Sequence, residues 1–89
     1  MLKKYSIEEL KTAHSFSIRN FNSIKASNKV GCFYCCKKFE PAEITDWITE
    51  SDGQKTALCP KCPIDSVIGD ACGVPITIKF LQAMHGYFF

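Results

Sequence analysis

The sequence predicts a small α+β domain stapled by a metal ion, with a helix toward each end. Three observations carry this reading: two Cys-x-x-Cys pairs, an apolar stripe at helical spacing near each terminus, and short apolar runs separated by turn residues between them. The pairs are Cys32-Phe33-Tyr34-Cys35 and Cys59-Pro60-Lys61-Cys62, separated by 23 residues in a chain of 89. A Cys-x-x-Cys turn sets two thiolates one metal-ligand span apart. A second such turn completes a tetrahedral shell of four sulfurs, the closed arrangement typical of structural zinc. The expected ligands are therefore Cys32, Cys35, Cys59 and Cys62, and the expected cofactor is zinc. A thioredoxin-type redox role asks for one such motif beside a βαβ pattern, and no βαβ pattern is visible.

Length supports a single domain spanning residues 1–89, near the size at which a hydrophobic core alone is marginal. A structural zinc supplies what is missing, because its binding free energy, on the order of 10 kcal/mol in small modules, becomes folding free energy. The composition, 46% hydrophobic and 22% charged, is that of an ordinary globule, and a formal charge of +2 does not by itself argue for nucleic acid. Acidic residues interrupt the N-terminus before any apolar run of signal length. A secretion signal and a membrane span are therefore not expected, and a reducing cytoplasmic setting is.

Taken in order, Ser6 with Glu9 forms a capping-box signature, and Ile7, Leu10, His14, Ile18, Phe21 and Ile24 recur at helical spacing. This predicts one amphipathic helix from about 7 to 24, weakest between Ser15 and Ser23, where Ser and Asn lower helix propensity. After the first knuckle, Lys37-Lys38-Phe39 returns as a strand. Pro41 then opens a short helix to about Glu50, with Ile44, Trp47 and Ile48 on one side. Asp52-Gly53 is a turn, and Thr56 to Leu58 a strand that delivers Cys59. Past Cys62, Ile64, Val67 and Ile68 fit one more helical turn ending at Gly69. A helix there makes the site treble-clef-like, whereas a second hairpin makes it a zinc ribbon; the spacing favours the first. Asp70 to Pro75 is a loop, and Thr77 caps a last helix whose stripe is Phe80, Leu81, Met84 and Phe88.

Gly31-Cys32-Phe33-Tyr34-Cys35, Phe39, Pro41-Ala42-Glu43-Ile44 with Trp47, Thr56 to Cys62, Ile64-Asp65-Ser66-Val67-Ile68-Gly69-Asp70 and Pro75-Ile76-Thr77 resemble a family of small bacterial cytoplasmic proteins described only as zinc-ribbon-like. The resemblance runs from about Ala13 to the C-terminus. It implies a bacterial source, a cytoplasmic location and a zinc-bound fold, and brings no activity with it. Pro63 departs from the Gly that commonly follows the last knuckle cysteine.

Several residues compete for roles around this site. Cys36, next to Cys35, offers a looser Cys-x-x-x-Cys pairing with Cys32, and Cys72 reads as a spare thiol. Four thiolates leave a metal no open position for catalysis. The His-x-Glu and Pro-Cys-x-x-Cys of zinc deaminases are absent, so that chemistry is excluded. His14 and His85 read as packed histidines with hydrogen-bonded nitrogens. An acid/base cluster of these two with Asp65 and Asp70 has no supporting motif. Lys25, Lys29, Lys37 and Lys38 lie around Phe33 and Tyr34, the mixture a single-stranded nucleic-acid platform uses, although with a net charge so near zero packed aromatics and solvated lysines are the favoured explanation. Glu40, Glu43, Asp46, Glu50 and Asp52 follow, with Glu43, Asp46 and Glu50 on one face of the expected helix. That face is either ordinary surface or a docking site for a basic partner. The aromatic end, Tyr87-Phe88-Phe89, is expected to fold back across the first helix.

The function expected from the sequence is a non-enzymatic cytoplasmic protein-binding module with a structural zinc. Its most concrete form is an inhibitor or immunity protein of a basic partner such as a bacterial toxin, bound through Glu43, Asp46 and Glu50. The alternative is a nucleic-acid-binding zinc protein using Phe33, Tyr34, Lys37 and Lys38.

Overall fold

The computed structural model describes residues 5–89; Met1 to Lys4, which belong to the N-terminus expected to lack a secretion signal, lie outside them. Helix α1 spans Ile7–Ser15 and begins as its residues dictate, with the Glu9 N–H donating to Ser6 Oγ and the Ser6 N–H donating to Glu9 Oε1. The expected helix to residue 24 is broken. α1 ends at Ser15, and a separate helix α2 covers Phe21–Ala26. Side chains of the Ser/Asn segment compete for the backbone: Ser15 Oγ donates to the Thr12 carbonyl, Ser17 Oγ to that of His14 and Asn20 Nδ2 to that of Phe16. Arg19 adopts a φ of 51°, which turns the chain between the two helices.

Three strands, β1 (Val30–Cys32), β2 (Lys38–Phe39) and β5 (Val67–Gly69), form an antiparallel sheet in the order β2-β1-β5. The remaining two, β3 (Trp47–Thr49) and β4 (Lys55–Ala57), form a separate hairpin. Its turn is the expected Asp52-Gly53, with Gly53 at φ 86°. The central sheet separates two cores. Cys32 and its pairing partner Val67 point to one side, into a core with Ile24, Val30, Phe39, Ile44, Ala57 and Cys59. Neighbouring strand residues point the other way. Ile68 thus joins Phe33, Leu10, Ala13, Phe80, Leu81 and Met84 beneath α1 and the last helix, α3 (Ile78–Phe88). Gly31 permits this packing, since a Cβ there would lie 2.8 Å from Leu81 Cδ1. α3 starts as expected, with the Phe80 N–H donating to Thr77 Oγ1. Phe88 folds back onto α1, its ring centroid 4.3 Å from that of His14.

Two expected helices are not helices. Only Pro41–Glu43 forms a 3-10 turn, and Trp47–Thr49 is a strand. Ile44 is buried while Ile48 is exposed, so they share no face. The aromatic and β-branched residues Trp47, Ile48 and Thr49 pair with β4 instead. Likewise Val67 and Ile68 lie in strand β5, covered on both faces, a setting in which a strand reads as a continuous apolar run and mimics a helical turn. The second knuckle therefore neither starts a helix nor caps a hairpin; it links strand β4 of one sheet to strand β5 of the other. The coarse expectation of a mixed helix-and-sheet domain around four cysteines stands, without a treble-clef helix. No described helix is long and apolar enough to cross a membrane.

Candidate metal centre

The two knuckles have different sequences and the same hydrogen bonds. In the first, between β1 and β2, the Cys32 N–H donates to the Lys37 carbonyl at 3.0 Å; in the second, the Cys59 N–H donates to the Ile64 carbonyl at 3.0 Å. Both close across five residues. Each then aims a backbone N–H at its first sulfur, Tyr34 at Cys32 Sγ and Lys61 at Cys59 Sγ, both at 3.3 Å. In each, the residue after the second cysteine sits at positive φ, Cys36 at 60° and Pro63 at 24°. Positive φ strains any residue with a Cβ, and a pyrrolidine ring prefers about −65°. The departure from Gly at Pro63 therefore carries local strain.

The knuckles face one another so that all four sulfurs, of Cys32, Cys35, Cys59 and Cys62, lie within 4.8 Å. Cys32 Sγ is 3.6 Å from Cys62 Sγ, and Cys35 Sγ is 3.8 Å from Cys59 Sγ. A tetrahedral ion with metal–sulfur bonds of about 2.3 Å sets its sulfurs about 3.8 Å apart, so the donor set fits. Cys32 and Cys59, at the strand-proximal side of each knuckle, are buried; Cys35 and Cys62, toward the tips, are half-buried. The first two reach into the apolar core, and the second two meet solvent.

Electrostatics point to the same conclusion. Without a cation, burial pushes the Cys32 thiol far above its ordinary value and raises Cys59 to about 11. Burial also acts against ionising Cys35, but the Lys37 N–H and the neighbouring thiols outweigh it and lower its pKa. Such a cluster does not carry four negative charges unaided. A divalent ion deprotonates its thiol ligands outright, and backbone N–H groups then stabilise the thiolates. Among the described residues, none of the six cysteines forms a disulfide. Cys36 lies outside the metal cluster, against the helix-side core, its pKa raised by burial and by Cys35. Cys72 is also outside it, at the end of a 3-10 turn.

The other expected sites are rearranged. Because the helix after Pro41 is absent, Glu43, Asp46 and Glu50 share no helical face. Glu43 accepts the Glu40 N–H at 2.8 Å and pairs with Lys61 of the second knuckle at 3.1 Å; these two contacts hold its carboxyl below its ordinary pKa. Glu50 turns inward to accept the hydroxyl of buried Thr56 at 2.6 Å. Glu40 and Asp52 are paired with Lys29 and Arg19. Phe33 is 1% exposed and belongs to the core, so it cannot present a face to a base, while exposed Tyr34 rests edge-on against Phe89. His14 stacks on Phe88, and His85 lies near Tyr34 and Phe89 rather than near His14. The expectation of satisfied histidine nitrogens fails at His85, whose buried Nδ1 has no hydrogen-bond partner among the described residues.

Sequence reasoning missed Asn20. This residue is 3% exposed; its Nδ2 donates to the Val67 carbonyl at 2.9 Å, and its Oδ1 accepts the Ala57 N–H at 3.0 Å. Ala57 lies just before Cys59 and Val67 just after Cys62, so one amide clamps both ends of the second knuckle. The available signal was the Ser/Asn run that breaks the helix. Compared with known proteins, the chain matches no family model, no curated protein and no solved structure.

Proposed function

We propose that the chain is a non-enzymatic binding module whose Cys32, Cys35, Cys59 and Cys62 hold a structural zinc. The observation that carries this reading is the sulfur cluster itself, with separations of 3.6 and 3.8 Å between knuckles that have matching hydrogen bonds. Zinc suits four thiolates in a tetrahedron, and a shell closed by four of them offers no position for substrate. Bound there, zinc ties β1 and β2 to the link between the two sheets. The test is metal content with a cysteine series. One zinc per chain, lost on Cys32→Ser or Cys59→Ser and kept on Cys36→Ser and Cys72→Ser, supports the assignment; metal kept after Cys59→Ser ends it.

For the partner, the reading is a cytoplasmic protein, with inhibition of a basic protein such as a bacterial toxin as its most specific form. A short acidic rim of Glu40, Glu43 and Asp46 beside the second knuckle supports it, along with the rigidity a metal staple confers. Of Glu43, Asp46 and Glu50, Asp46 alone has a carboxylate without a hydrogen bond or ion pair among the described residues. The charge open to a basic partner is therefore smaller than the sequence implies. Native mass spectrometry of protein captured from its host identifies the partner mass. Asp46→Lys in zinc-loaded protein must then weaken that complex; an unchanged affinity removes the acidic rim from the reading.

A further inference from the structure

We propose that the face built by Phe21 and Trp47, with Lys25 and Lys55 above it, is a platform for single-stranded nucleic acid. α2 and β3 bring the two rings together, with centroids 4.9 Å apart and planes tilted by 56°. Lys25 follows Phe21 by one helical turn, and its Nζ lies 5.5 Å from the Phe21 centroid and 5.8 Å from that of Trp47. Lys55, opposite Thr49 on the β3–β4 hairpin, places its Nζ 5.9 Å from the Phe21 centroid. Beside the rings opens a cleft of about 270 Å³ lined by Arg19, Phe21, Asn22, Gly53, Gln54 and Lys55.

The charges favour this occupant. Among the described residues, Arg19, Lys29 and Lys61 are paired with acids, whereas Lys25 and Lys55 are not. The acids at this rim are committed elsewhere, Asp52 to Arg19 and Glu50 to the Thr56 hydroxyl. What remains is two aromatic rings, two unpaired ammonium groups on flexible stems, and the carboxamide of Asn22, beside that of Gln54, whose Nε2 donates to Asp52 at 3.1 Å. Bases stack on aromatic faces, ammonium groups neutralise phosphates, and carboxamides hydrogen-bond base edges. An acidic peptide would use the lysines and leave the rings without flat partners. A duplex keeps its base faces stacked inside. In the free protein the lysines cover the rings by cation–π attraction; on docking, each swings to a phosphate as a base takes its place.

Trp47 is the only tryptophan, so its fluorescence reports the platform directly. The experiment titrates zinc-loaded protein with a 12-nucleotide oligo-dT and oligo-U at low salt, following Trp47 emission and the anisotropy of labelled strand. Saturable quenching is expected, with a log–log salt slope of about −1.4 for two phosphates neutralised. K25E with K55E should abolish it, and Phe21→Ala should weaken it roughly five- to hundredfold, with Phe21→Leu as a variant that keeps the packing volume. Zinc content and far-UV dichroism of each variant separate lost contacts from lost fold. Absent quenching, equal affinity for duplex, equal quenching by heparin, or binding indifferent to the lysine reversals would each overturn the proposal. A chain that carries no zinc yet shows this quenching would overturn the metal assignment and leave the platform standing.

Discussion

Replacing Asn20 with Ala tests whether one buried amide sets the geometry of the second knuckle. The substitution leaves the Ala57 N–H and the Val67 carbonyl, both in fully buried residues, without the partners they have at 3.0 and 2.9 Å. Each unsatisfied buried backbone group costs about 1–3 kcal/mol, so the expected loss is about 4 kcal/mol. For a domain of this length, whose total stability is roughly 4–13 kcal/mol, that is a third or more. Urea unfolding of zinc-loaded protein measures the loss, and chelator competition measures the metal. Because the clamp holds residues on both sides of Cys59 and Cys62, zinc affinity should fall at least about tenfold. Asn20→Asp keeps an acceptor for Ala57 but sets a carboxylate against the Phe16 and Val67 carbonyls, and should be no better tolerated. A loss below about 1 kcal/mol with unchanged zinc affinity would refute the reasoning.

Three further outcomes follow from the same structure. The fold raises the pKa of Cys32 and Cys59 when no metal is bound, the latter from 9.0 to about 11, so thiol burial stabilises the apo fold fully below about pH 9 and this contribution is lost as pH rises toward 11. Zinc at the proposed site would reverse the sign, because its ligands must be thiolates: calorimetry in buffers of different ionisation enthalpy should show protons released on binding and affinity falling with acidity, and binding without proton release would contradict the assignment. Pro63→Gly relieves a φ of 24°, and after the entropy of the added glycine is deducted, zinc-loaded protein should gain about 1 kcal/mol in thermal unfolding, a loss being the contrary result. The two glycines give opposite signs: Gly69→Ala drives a Cβ into Ser27 Oγ and should cost about 1–3 kcal/mol, whereas Gly86→Ala, in α3 with open space around it, should gain about 0.5–1 kcal/mol in the same assay.

Asn20 also illustrates how far the sequence was legible. Its clamp joins Ala57 and Val67, 37 and 47 residues away, and no local pattern encodes such a meeting. The acidic residues tell a similar story. Their alignment depended on a helix from Pro41 to Glu50, and once Trp47–Thr49 pairs with Lys55–Ala57, Glu43 turns to a knuckle lysine and Glu50 to a buried threonine. Phe33 and Tyr34 stand side by side in sequence, yet the knuckle turn that follows β1 sends the first into the core and leaves the second outside.

What the sequence alone determined is the set of features governed by short range: the four sulfurs, because a Cys-x-x-Cys turn closes within six residues, the capped start of the first helix, and the last helix, whose cap and stripe lie within a few turns. Tertiary structure decided the rest. Strands β3 and β5 exist because β4 and β1 lie beside them, supplying hydrogen bonds that a three-residue segment cannot make for itself. Such pairing settles whether a brief apolar run is helix or strand, which core each side chain enters, and which charges remain free to meet a partner.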